Sequence, residues 1–176
     1  ILSDKTGTLT RNEMEFFKCS IAGISYGSGM TEVEKVAALR AGKALYHMEQ
    51  ENTDIKLEKE FALRDARLDD LNWQNEPTKD TIFRFLEILA VCNTVITEDS
   101  EDPDNINYIS ESPDETAFVV AAKRLGVSLL ERTETFIQLK LLKKSESPML
   151  KKYERLNTIE FTSVRYLLIL LFARFP

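Results

Sequence analysis

A chain of 176 residues, 43% hydrophobic and 30% charged, has the composition of an ordinary soluble globular protein and enough length for one domain with a sizeable core. Its formal charge of -6 argues against a nucleic-acid partner held mainly by electrostatics. One histidine, His47, and two distant cysteines, Cys19 and Cys92, argue against a zinc site, and the cysteines read as buried, reduced thiols.

In chain order, the apolar lead-in Ile1-Leu2-Ser3 reads as the end of a buried strand, and Asp4-Lys5-Thr6-Gly7-Thr8-Leu9-Thr10 follows it. That heptapeptide suits aspartyl-phosphate chemistry. A carboxylate oxygen attacks a γ-phosphoryl group and divides one hard hydrolysis into two easier steps. Lys5 supplies a point charge for the phosphoryl, the threonine hydroxyls and loop amides add donors, and Gly7 lets the backbone come close. Met14 to Ile21 and the turn signals of Gly23 to Gly29 predict a strand and hairpin. Thr31-Glu32-Val33-Glu34 is a capping-box start, and Val33, Val36, Ala37, Leu39 and Ala44 predict an amphipathic helix to about Met48. Glu49 to Glu60 is polar without an apolar period and reads as a mobile loop, while Leu68 to Trp73 has no assignment.

Pro77-Thr78-Lys79-Asp80 opens a second helix, whose apolar face is Ile82, Phe83, Leu86, Ile88, Leu89 and Val91, ending near Cys92. Glu98 to Asn107 lacks the glycine and closing glutamate of a calcium loop and reads as a solvated acidic loop. Ser112-Pro113-Asp114-Glu115 has a serine cap, proline in the first turn and acids at the positive helix end; this third helix runs to Leu125 and stops at Gly126. Strand-like segments follow at Ser128 to Leu142 and Tyr153 to Leu171, joined by a hairpin loop at Lys143 to Pro148. The longest apolar run, Tyr166 to Ala173, falls short of the ~18 residues that cross a bilayer. A start at Ile1 and a stop in an apolar segment give the expectation of a fragment cut at both ends.

Several stretches resemble the P-type ATPases, whose phosphorylation signature is DKTGTLT, and among them the type IV phospholipid flippases. They are DKTGTLTRNEMEFFKCSIAG (Asp4 to Gly23), SYGSGMTEVE (Ser25 to Glu34), LAVCNT (Leu89 to Thr94), ESPDETAFVVAAKRLG (Glu111 to Gly126) and LNTIEFTSVR (Leu156 to Arg165). The Ser25 to Glu34 stretch looks most like plant members. The resemblance implies an α+β fold, an antiparallel sheet flanked by helices. Residues 1–11 would begin a Rossmann-like phosphorylation domain, 12–165 would be an incomplete nucleotide-binding domain, and 166–176 a divergent apolar tail. It implies that ATP phosphorylates Asp4, that Lys5 neutralises the phosphoryl, and that Thr6 touches phosphate and lends a carbonyl to Mg²⁺, with Asp4 and Thr6 as the metal ligands. Glu115 matches a residue lining the nucleotide site, Phe161 the aromatic on which adenine stacks, and Arg165 the first basic residue of an S-x-R-K-R stretch.

After Arg165 the family pattern continues with a basic pair, whereas this chain reads Tyr166-Leu167-Leu168-Ile169-Leu170-Leu171-Phe172, as a frameshift, an unspliced intron or a misassembled gene end would give. The family's later KGA, TGD and GDGxND segments do not occur in it. The expectation is therefore a piece of an ATP-driven phospholipid translocase, an integral membrane protein with this part on the cytoplasmic face. Its partners would be ATP, phospholipid through membrane segments outside this stretch, and an accessory subunit, with no nucleic acid. The isolated chain is expected to be inactive, its apolar tail exposing a sheet edge. Two other readings compete: a non-catalytic ATP-binding module from a truncated gene product, and a soluble phosphatase with an aspartate nucleophile. The phosphatase class usually carries a second Asp two residues on, where this chain has Thr6.

Overall fold

A computed structural model describes residues 12–41, 60–98, 106–159 and 169–174. The phospho-acceptor heptapeptide, His47, Phe161 and Arg165 lie outside the described residues, as do the continuation of the first helix beyond residue 41 and nearly all of both predicted loops.

The fold rests on a four-stranded antiparallel sheet with β5 (Val127–Arg132), β6 (Phe136–Leu141), β7 (Met149–Ile159) and β8 (Ile169–Arg174) in that spatial order. In β6 strict alternation buries Ile137, Leu139 and Leu141 and leaves Phe136, Gln138 and Lys140 half-buried, which fixes the face that meets the helices. That face is covered by α2 (Lys79–Val91) and α3 (Pro113–Arg124), which pack on each other and on β5. α2 inserts Ile82, Leu86 and Ala90, and α3 inserts Ala117, Val119, Ala121 and Ala122, whose small side chains allow close approach. The sequence expectation is corrected on one turn of α2: Ile88 is 56% exposed, while Glu87 is buried. At ~100° per residue Ile88 lies about 240° around from Ile82, off the buried arc.

Two short hairpins complete the fold. The β1 (Cys19–Ile21) and β2 (Ile24–Tyr26) pair turns through Ala22 and Gly23, both at positive φ, where the sequence predicts a hairpin. The β3 (Ile96–Glu98) and β4 (Asn107–Ile109) pair was not foreseen; the acidic stretch between its strands masks their short β pattern. It docks on the sheet with the Tyr108 hydroxyl donating to Leu129 O at 3.0 Å. The single strand-like segment expected at Ser128 to Leu142 is in fact β5 and β6, divided at Thr133-Glu134-Thr135, where Thr133 Oγ accepts from the amides of Thr135 and Phe136.

α1 (Glu32–Arg40) has the predicted capping box: Glu34 N donates to Thr31 Oγ at 3.2 Å, and Thr31 N to Glu34 Oε2 at 2.7 Å. Its expected apolar face is not core, since Val33 is 79% exposed and Val36 and Leu39 are exposed as well. The unassigned segment forms a kinked 3-10 helix, Asp69–Asn75, with Asp70 and Leu71 in left-handed backbone. It buries Trp73, whose Nε1 donates to Leu125 O at 2.9 Å. The thiol expectation is also corrected: Cys92 is exposed and Cys19 half-buried, both as free cysteines. Residue 92 follows the last turn of α2, where the chain leaves the core. Among the described residues no helix is long and apolar enough to cross a membrane.

Candidate functional site

The end of α2 is built by Asn93, which is 1% exposed and sends its amide to Leu89 O at 2.8 Å and Ala90 O at 3.1 Å. Its Oδ1 accepts from Val95 N at 3.0 Å, which turns the chain out of the helix and presents Thr94 at the surface. Arg132, at the end of β5, closes the corner by donating to Asn93 Oδ1 at 2.9 Å and Val91 O at 3.2 Å. A guanidinium on the last carbonyls of a helix complements its negative end. Burial, and then the nearby Arg155, bring the Arg132 guanidinium down to about 10 from the usual value for arginine.

Glu115 reaches this corner from the first turn of α3. Its Oε2 accepts from Thr94 N at 2.9 Å, from Thr94 Oγ at 2.6 Å and from Ser110 Oγ at 3.4 Å. Hydrogen bonds to a charged acceptor are the strong class, and here they fix the rotamer of a half-buried side chain. Oε1 has no donor among the described residues. The predicted serine cap takes a different form. Ser112 occupies the cap position without a side-chain bond, and its own amide donates instead to Ser110 Oγ at 3.1 Å. Beside this helix start lies a cavity of about 290 Å³, which Glu13, Glu60 and Glu111 line together with Asn12, Ser110 and Thr116.

The free lobe of the Glu115 carboxylate accepts hydrogen bonds, so a neutral N–H or O–H donor of a ligand suits it. The three carboxylates beside it repel a polyphosphate unless a cation intervenes. Among the described residues no three His, Cys, Asp or Glu side chains cluster to hold a metal. Of the candidate site residues named from sequence, Glu115 alone falls within the described part, and its partners Thr94 and Ser110, like the neighbouring Asn93 and Arg132, had been assigned no role. The signal for Thr94 was present, because it closes the LAVCNT stretch that carries part of the resemblance.

No protein-family model matches the chain. Curated relatives do. The chain is 47% identical over 170 residues, 93% of its length, to probable phospholipid-transporting ATPase 12 of Arabidopsis thaliana. It is 42% identical over 172 residues to phospholipid-transporting ATPase 10 of the same plant, and 34% identical over 165 residues to a phospholipid-transporting ATPase of Schizosaccharomyces pombe. It spans about 14% of the length of the two plant proteins and 11% of the yeast one.

Proposed function

From a chain that belongs to the type IV P-type, phospholipid-transporting ATPases, we propose that this stretch carries the phospho-acceptor and most of the nucleotide-binding domain of an ATP-driven phospholipid translocase. The observation that supports the reading best is the Glu115 corner. Two stretches that carry the resemblance, Leu89 to Thr94 and Glu111 to Gly126, meet at one carboxylate. A carboxylate repels phosphates, so Glu115 Oε1 takes a donor from the base or ribose of ATP, and Phe161 stacks on the adenine ring.

In the proposed reaction an Asp4 carboxylate oxygen attacks the γ-phosphorus of ATP and ADP leaves. Water later cleaves the aspartyl-phosphate, releasing phosphate and restoring Asp4. Lys5 offsets the charge of the transferred phosphoryl. The Asp4 carboxylate and the Thr6 carbonyl are hard oxygen donors of the kind Mg²⁺ prefers. Mg²⁺, when bound there, neutralises charge on the phosphates. Phosphorylation and dephosphorylation of Asp4 would drive domain motions that move a lipid headgroup between leaflets at the cytoplasmic face of a membrane. The 176 residues contain no Lys-Gly-Ala, Thr-Gly-Asp or Gly-Asp-Gly segment, so by themselves they bind ATP weakly and do not turn it over.

Calorimetric titration with ATP tests the binding half of the proposal. Phe161→Ala weakens ATP by about 1–3 kcal/mol if adenine stacks there, and equal affinities in the two proteins refute the stacking role. Incubation with labelled ATP and Mg²⁺ leaves no acid-stable label on the isolated chain. Label on Asp4 refutes the claim of inactivity.

A further inference from the structure

Thr94 and Glu115 mark the C-terminal end of α2; a second concave site lies at its N-terminal end. There the 3-10 helix, the first turn of α2 and the β6–β7 hairpin enclose a groove of about 450 Å³. Its floor is built. The Trp73 and Phe83 rings stack with centroids 6.4 Å apart and planes 17° from parallel. The hairpin is fastened to the 3-10 helix through Gln74, whose Nε2 donates to Leu142 O at 2.8 Å and whose Oε1 accepts from Lys144 N at 3.1 Å. Lys144 Nζ adds a bond to Asn72 Oδ1 at 2.6 Å.

The lining carries four lysines against two carboxylates, on a chain of net charge -6. The cations occupy opposite banks: Lys79 on α2, and Lys143, Lys144 and Lys151 on the hairpin and β7. Their distribution decides what fits. Lys143 is held by Glu146, Lys144 by Asn72, and Lys151 by Glu87 at 3.3 Å with its Nζ 4.0 Å from the Phe83 centroid. Only Lys79 has no partner among the described residues. No single point gathers free ammonium groups for a compact anion. Charge runs along both banks instead, with apolar surface between them at Phe83, Leu142 and the 40% exposed Met149.

We propose that this groove docks an acidic peptide segment of a partner protein, its carboxylates alternating between the two lysine banks and an apolar side chain seated on Met149 and Leu142. Rim charges of this kind set encounter rate and specificity and respond strongly to salt. The groove shares no lining residue with the Glu115 corner, so it stands whether or not the nucleotide proposal holds.

Trp73 is the sole tryptophan of the chain, so its fluorescence reports the groove directly. The 176-residue chain is titrated at low ionic strength with a synthetic peptide alternating glutamate and leucine. Parallel titrations use the same pattern in lysine and leucine, and sodium pyrophosphate. The expected result is a saturable Trp73 response to the acidic peptide alone, weakened about tenfold or more by Lys79→Glu with Lys143→Glu and unchanged by added ATP. Should the double variant lose its circular-dichroism signature, the exposed Lys79→Gln replaces it, with about threefold weakening expected. Absence of a saturable response overturns the proposal, as does an undiminished response in a folded variant. A matching response to pyrophosphate makes this a small-anion site, and competition by ATP makes it a nucleotide site; either result overturns the peptide assignment.

Discussion

Glu115→Ala tests the candidate nucleotide site most directly, because the corner predicts different sizes for its two effects. Removing the carboxylate takes the acceptor from Thr94 N, Thr94 Oγ and Ser110 Oγ. Thr94 is exposed, so water replaces most of what is lost, and these bonds contribute about 1 kcal/mol. Losing a negative charge from the first turn of α3 costs about 0.3–1 kcal/mol more. Unfolding stability should therefore fall by roughly 1–2 kcal/mol, which for a chain of this size lowers Tm by about 2–8 °C. Affinity for ATP should fall further, since the site loses a charged acceptor facing the ligand; about 1.5–3 kcal/mol corresponds to a 10- to 150-fold rise in Kd. Calorimetry on the folded variant reads the second effect, and thermal melting reads the first. Inosine triphosphate, which lacks the adenine amino group, and 2′-deoxyATP, which lacks a ribose hydroxyl, identify the donor: the analogue that loses affinity in the unmodified chain but not in the variant names it. A Kd for ATP within about twofold of the unmodified chain, with the melt lowered as expected, would show that Glu115 only caps its helix.

Three further positions probe what holds the fold together. Gly126 sits at φ +97, and a Cβ there would lie 2.3 Å from Leu71 Cδ2, so Gly126→Ala should cost about 1–3 kcal/mol in chemical denaturation, part of it recovered by trimming Leu71 to alanine. Asp65 accepts from Arg67 Nε and NH2 at 2.8 and 2.6 Å and from Gly27 N at 3.0 Å, and Arg67 foremost holds its carboxyl at about 2 against an ordinary 3.8. A depressed carboxylate stabilises the fold above its unfolded value and loses that contribution as pH falls. The gap between the chain and its Asp65→Asn variant should accordingly be constant above pH ~5, at about 1–2 kcal/mol after discount for solvent, and close between pH 4 and 2. Glu87 is pushed up by burial, but Tyr153, Arg84 and Lys151 outweigh this and hold it below the usual range. Glu87→Leu strands the Lys151 ammonium, only 12% exposed, and should cost about 2–4 kcal/mol, whereas Glu87→Leu with Lys151→Met should recover much of it.

Local chemistry was legible in the sequence, and non-local chemistry was not. The capping box of α1, the bounds of α2 and α3, the Gly126 stop and the β6–β7 hairpin follow from residues a few places apart, and they stand where the periodicity puts them. The buried Glu87 could not be foreseen, because two of its partners, Lys151 and Tyr153, come from a strand more than sixty positions away. The 3-10 helix was opaque for the same reason: Leu71 takes a left-handed backbone that leucine does not choose, and Trp73 is anchored by Leu125 O, 52 positions on. Val33 shows the opposite error. Helical spacing marked it as core, but spacing states which residues share a face and not whether anything covers it.

The segment after Arg165 separates what pairing requires from what chemistry requires. The later part of the apolar run forms β8, which takes the edge of the four-stranded sheet with Ile159 opposite Ile169 and Tyr153 opposite Arg174, while the positions where the resemblance leads one to expect a basic pair lie outside the described residues. Strand pairing is carried by the backbone and favoured by β propensity, which isoleucine and phenylalanine supply here. A basic pair beside a nucleotide supplies charge, which those residues cannot. Leu171 is exposed on this edge strand, where unpaired backbone groups invite another chain. Pairing at a sheet edge and charge beside a nucleotide are thus set by different properties of the side chains, so a folded chain is no evidence that phosphoryl transfer is intact.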